Sequence, residues 1–65
     1  MFVIVNGQAH PLPKSRTLAA LLLSLSPPAP FAVARNEAVV PRETYEHCHI
    51  YPGDRIDIVH PTAGG

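Results

Sequence analysis

Only one stretch of this chain, "SRTLAALLLSL", carries the period of a helix, and it constrains everything around it. Leu18, Leu21, Leu22 and Leu25 fall at i, i+3, i+4 and i+7 behind Thr17, a favourable N-cap. The capping box is incomplete, because Ala20 stands where Glu or Gln would reach back. "SPPAP" then stops the helix, since Pro27 and Pro28 cannot continue it and Pro30 keeps the connector extended. A single amphipathic helix has no second helix to cover its stripe. It needs a sheet.

The rest of the chain supplies short strands. "FVIV" (Phe2 to Val5) is a continuous β-branched and aromatic run, the pattern of a strand covered on both faces. Asn6 and Gly7 follow at once, the pair best suited to a type I′ hairpin. The returning strand, about Gln8 to Leu12, meets Pro11 and Pro13 and is demoted to an edge. "FAVAR" (Phe31 to Arg35) alternates large and small residues, and "NEAVV" turns into a short strand closed by Pro41. "RETYEHCHIY" has no clean period and reads as one helical turn followed by an extended piece. "PGD" (Pro52 to Asp54) is a turn, with Pro52 presetting φ and Gly53 permitting a positive one. In "RIDIV", Ile56 and Ile58 fall on the core side and Arg55 and Asp57 outside.

The order β-β-α-β-β-β predicts an α+β domain, a mixed sheet of about five strands crossed by one main helix. A hairpin, a crossover helix and a final strand returning parallel to the first is the β-grasp, or ubiquitin-like, arrangement. The expected domain covers residues 1–60, with a flexible tail over 61–65 ending in Gly64 and Gly65.

Composition removes several function classes. At 65 residues, one domain is all the chain can hold, and its stability is expected to be only a few kcal/mol. Hydrophobic content of 46% with 15% charged residues argues against disorder. Formal charge is zero with no Lys/Arg run, so nucleic acid is not an expected ligand. The longest apolar run, Leu18 to Leu23, is too short to span a bilayer, and the N-terminus lacks a basic leader. The single Cys48 cannot form an internal disulfide. A cytoplasmic globular domain is the expectation.

Taken together, "VNG" (Val5 to Gly7), "VARNEAVVPRE" (Val33 to Glu43), Tyr45, "GDRIDIV" (Gly53 to Val59) and the terminal "GG" resemble the ThiS family, the sulfur carriers of thiamine biosynthesis. The departures are the "SPPAP" connector, "HCH" and the "HPTA" approach to the tail. The resemblance implies a protein substrate of other enzymes rather than a catalyst. The carboxylate of Gly65 would be adenylated by an E1-like, ThiF-type adenylyltransferase using ATP, then converted to a thiocarboxylate. Its sulfur would come from a persulfide donor such as a cysteine desulfurase and pass to a ThiG-type thiazole synthase. No bound cofactor is implied. Glycines at the end suit this path, because without Cβ the chain can thread a narrow tunnel and leave the carbonyl uncrowded. Ala63, Gly64 and Gly65 form the working tail, and Pro61 and Thr62 stiffen its stem. Two alternatives stay open: a MoaD-like carrier for molybdopterin synthesis, and a ubiquitin-like interaction module whose tail is not activated.

Other residues offer less chemistry. His47 and His49 face one side of an extended segment and Cys48 the other, and two ligands do not make a zinc site. Glu43 and Glu46 are spaced for one helical face, where exposed glutamates normally serve solvation. Arg42 either clamps a partner or pairs with Glu43 or Glu46. For docking, strand alternation separates Val3 and Val5 from Phe2 and Ile4, and Val59 from Ile58. Placing the helix over Phe2 and Ile4 leaves Val3, Val5 and Val59 as an apolar partner-binding patch on the open face, beside the tail.

Overall fold

The computed structural model describes residues 1–61. Strand β1 (Phe2–Val5) turns through Asn6 and Gly7 into β2 (Gln8–Pro11). Both turn residues have positive φ, 48° and 83°, as a type I′ turn requires. Helix α1 (Leu18–Leu25) is capped by Thr17, whose Oγ1 accepts the Ala20 N–H at 3.2 Å. At its other end Ser26 is left-handed and donates its N–H to the Leu22 carbonyl. Strands β3 (Ala32–Arg35) and β4 (Ala38–Val39) form a second hairpin. A 3-10 helix over Arg42–His47 and a turn at Pro52–Gly53 lead into β5 (Arg55–Val59).

The strands hydrogen-bond in the order β2-β1-β5-β3-β4. β5 therefore joins the two hairpins, parallel to β1 with Val5 opposite Ile56, and antiparallel to β3 with Val33 opposite Ile58. This mixed five-strand sheet with one α-helix is the β-grasp order. β2 lies at an edge, where the missing N–H of Pro11 costs no ladder bond.

Among the described residues, nine apolar side chains form the core. Val3, Val5, Val33, Ile56 and Ile58 come from one sheet face, Leu18, Leu21 and Leu22 from the helix, and Ile50 from the connector. Ile50 is drawn in by a short antiparallel bridge between Thr17 and His49. There the Leu18 N–H donates to the Cys48 carbonyl and the Ile50 N–H to the Arg16 carbonyl.

Two expectations for β1 are overturned. Val3 is fully buried and Val5 is 6% exposed, so both pack under the helix rather than on the open face. Phe2 and Ile4 take the open side, and Phe2 is 57% exposed, so the strand is not covered on both faces either. The cause is that all four residues are apolar. Alternation then separates two faces without saying which one meets the helix. The register against β5 settles it by setting Val5 beside the buried Ile56 and Ile4 beside the exposed Arg55.

Candidate functional site

The end of β5 is the feature on which the sequence reading converges, because the chain runs from it toward the glycines. Ala63, Gly64 and Gly65 lie outside the described residues, as does Thr62. The geometry up to Pro61 therefore defines the root from which they extend.

That root is held from both sides. β1 ends at Val5, and the chain turns away at Asn6 while β5 continues. The Asn6 backbone N–H donates to the Ile56 carbonyl at 2.9 Å. Its side-chain amide then goes on where the strand stops: Oδ1 accepts the Ile58 N–H at 2.8 Å and Nδ2 donates to the Ile58 carbonyl at 3.2 Å. A primary amide carries the same donor and acceptor as a peptide unit, so Asn6 extends the ladder by side chain. On the other flank Val59 pairs with Ala32. One residue further out, the rings of Phe31 and His60 meet edge to face, centroids 6.4 Å apart at 63°. Pro30, Phe31, Ala32, Val59, His60 and Pro61 line a shallow apolar recess beside the exit.

The opposite end of β5 has a matching device. Asn36, also left-handed with φ 50°, accepts the Arg55 N–H at 2.9 Å through Oδ1 and donates its backbone N–H to the Arg55 carbonyl at 2.8 Å. Its Nδ2 donates to Asp54 Oδ1 at 3.3 Å. Asp54 Oδ2 accepts Arg35 Nε at 2.8 Å and the Tyr51 N–H at 2.9 Å, and the Arg35 guanidinium lies 5.7 Å from the Tyr51 ring centroid. Partial burial pushes the Asp54 carboxyl up. The Tyr51 N–H, the Arg35 guanidinium and the Asn36 amide together outweigh that and hold it below its ordinary value. The hydrogen bond to Asp54 correspondingly raises Arg35.

The open sheet face differs from the expected central apolar patch. Register places Ile4 beside Arg55, and Asp57 beside Ala34, so charge runs down the middle strand. Phe2, Ile4, Ala32, Val39 and Val59 stand around it, with Phe2, Val39 and Val59 well exposed. Val59 thus lies on the open face and at the tail root, while Val3 and Val5 do not. Arg42 is exposed on the helix side, where it lines a groove with Glu43, Glu46, Leu22, Leu23 and Tyr45. Among the described residues the ion pair within 4 Å is Arg35–Asp54, so Arg42 does not pair with either glutamate. His47 and His49 are exposed and Cys48 is half-buried. Among the described residues, no three His, Cys, Asp or Glu side chains gather closely enough to hold a metal ion.

Sequence reasoning missed three features of the root. Asn6 was legible as a turn residue but not as a partner of Ile58, fifty-two positions away. The Phe31–His60 contact joins two loops with no shared pattern. The exposure of Phe2 and Ile4 had no signal in an all-apolar strand.

Comparison with known proteins agrees with this architecture. The sequence matches the ThiS family over residues 3–65. The chain is 39% identical over 66 aligned positions to part of a protein described as a thiazole synthase of Magnetococcus marinus, covering all of this chain and 20% of that one. It thus spans about a fifth of that curated relative's length. In structure it resembles the crystal structure of the thiamine biosynthesis protein ThiS from Geobacter metallireducens, with a TM-score of 0.83, 23% identity and complete coverage of both chains. The chain belongs to the ThiS family and has the β-grasp fold.

Proposed function

We propose that this chain is a protein co-substrate whose C-terminal carboxylate, on Gly65, carries sulfur to the thiazole ring of thiamine. The observation that carries the reading is the family match, which runs through Gly64 and Gly65 to the end of the sequence. A carboxylate is a poor electrophile because oxide is a poor leaving group. An E1-like adenylating enzyme and ATP form the acyl-AMP with release of pyrophosphate. A persulfide sulfur on a donor enzyme attacks the carbonyl and displaces AMP, and a thiol then cleaves the S–S bond to leave the thiocarboxylate. This chain supplies no catalytic group to those steps; it presents its end.

The partners follow from the same reading. A thiazole synthase is the acceptor enzyme, supported by the relative in which a segment like this whole chain makes up a fifth of a protein of that description. The open face around Ile4 and Val59 is the docking surface, and Arg42, which makes no ion pair among the described residues, offers a charge to a partner. Incubation with the E1-like enzyme of the same genome, ATP and a persulfide donor tests the reading. Intact-mass spectrometry should show one oxygen replaced by sulfur, and a full-length chain that never gains that mass refutes it.

A further inference from the structure

We propose that Asn6 is a positioning residue for the reactive end, acting through the Ile58 peptide. This rests on the carrier reading above. In a sheet, each internal strand is normally held by a backbone ladder on both sides. At the root of the tail, β1 has already turned away, so the β1-side bonds to Ile58 come from one side chain instead. Both bonds are made, and both are within hydrogen-bond range. Without them the backbone of Ile58 to Pro61 would be tied on the β3 side alone, by the Val33–Ile58 and Ala32–Val59 pairs and the Phe31–His60 contact, with the Ile58 side chain anchored in the core.

The consequence is directional. The reacting carbonyl lies seven residues beyond Ile58, and each residue reaches at most about 3.3–3.6 Å. Loosening the root widens the range of positions from which the end must be brought to the reacting centre. A misplacement of about 1 Å at a reacting centre can cost on the order of a hundredfold in rate. Asn6 thus restrains the root of the tail at Ile58 through two side-chain hydrogen bonds, without itself standing among the open-face residues Ile4 and Val59.

The turn makes a clean experiment possible. Glycine accepts the left-handed φ of 48° at this position, so Asn6→Gly keeps the hairpin and deletes only the amide. Asn6→Asp keeps an acceptor for the Ile58 N–H but replaces the donor with a group that repels the Ile58 carbonyl. Asn36→Gly is the matched control, since it removes the corresponding side chain at the far end of β5. Each variant is assayed by ATP–pyrophosphate exchange with the E1-like enzyme, at a temperature where circular dichroism shows it folded. Amide exchange at Ile58 is followed in parallel.

In Asn6→Gly, exchange at Ile58 should accelerate at least about fivefold. Its kcat should fall about tenfold or more, with KM for the carrier nearly unchanged. Asn6→Asp should lie between Asn6→Gly and the natural protein, and Asn36→Gly should keep the natural kcat. Equal losses in Asn6→Gly and Asn36→Gly would reduce Asn6 to a stability role and overturn the proposal, as would an unchanged kcat in Asn6→Gly. A natural protein that supports no exchange at all refutes the carrier reading itself, a distinct outcome.

Discussion

Arg35 and Asp54 are nineteen positions apart in sequence, yet Nε and Oδ2 meet at 2.8 Å where β3 ends and β5 begins. The Asp54 side chain is only 12% exposed, so this carboxylate works as an internal tie between the two strands. Asp54→Ala should cost about 1.5–3 kcal/mol, the range for hydrogen bonds to a charged group. A carboxyl held low in the fold takes up its proton at lower pH than in the unfolded chain. Its stabilisation is complete above the unfolded value of about 3.8 and is lost as pH falls through the lower folded value. Melting temperatures recorded on either side of that window should converge for the natural protein and Asp54→Asn at the acid end. Curves that stay parallel would show that Asp54 does not titrate with the fold.

The helix stripe is the next test. Leu22 is 7% exposed in a core of nine residues, and the chain has no covalent staple. Leu22→Ala should cost about 2–5 kcal/mol, most of the stability expected for a domain this small. A urea titration with an unshifted midpoint would contradict the packing.

The two faces of β1 should respond oppositely to charge. Val3→Glu buries a carboxylate under the helix and should leave the chain largely unfolded at room temperature. Ile4→Glu places it on the half-open face and should preserve the fold while weakening partner docking at least about tenfold, measured by titration calorimetry with the E1-like enzyme. Equal unfolding by both substitutions would show that the open face is structural.

Replacing His47, Cys48 and His49 together by alanine should lower stability by no more than about 1 kcal/mol, from the lost contact of half-buried Cys48 with the core. Sulfur transfer should continue. Stoichiometric zinc in the purified protein that disappears with the triple substitution would reverse this view.

Deleting Gly65 should leave the melting curve unchanged, because the residue lies beyond β5. Activation should nevertheless vanish, since the carbonyl falls about 3.3–3.6 Å short of the reacting phosphate. Adding one residue after Gly65 should fail for the same reason of reach. Sulfur uptake by either variant, seen in intact-mass spectra, would move the reactive group elsewhere.

The elements of this fold were legible because each carries its own local signal. Thr17 before a leucine stripe, Asn6-Gly7 after "FVIV", and strict alternation in "RIDIV" each name an element within a few residues. The structural likeness to the Geobacter metallireducens protein supports the same topology. What stayed illegible is relational. Val3 and Ile4 are both apolar, so only the register against β2 and β5 decides which is buried. Asn6 and Asn36 advertise turns, and their bonds to Ile58 and Arg55 depend on β5 lying between their strands. The tail root was visible as a position but not as a built structure, because its restraints come from Asn6 and Phe31, both remote in sequence.

The placement of β5 also bears on when this protein becomes usable. Each hairpin pairs residues close in sequence, but neither touches the other through the sheet until β5 enters between them. Synthesis must therefore run to Val59 before the core can close, and the residues that follow are the next to emerge. Sheet closure depends on sequence-distant pairings, Val5 with Ile56 and Val33 with Ile58 among them, contacts of the kind that slow folding. A chain damaged in either hairpin has no completed platform from which to offer its end. Assembly order thus ties the exit of the chain to a finished sheet, because β5 both joins the two hairpins and leads on to the end of the chain.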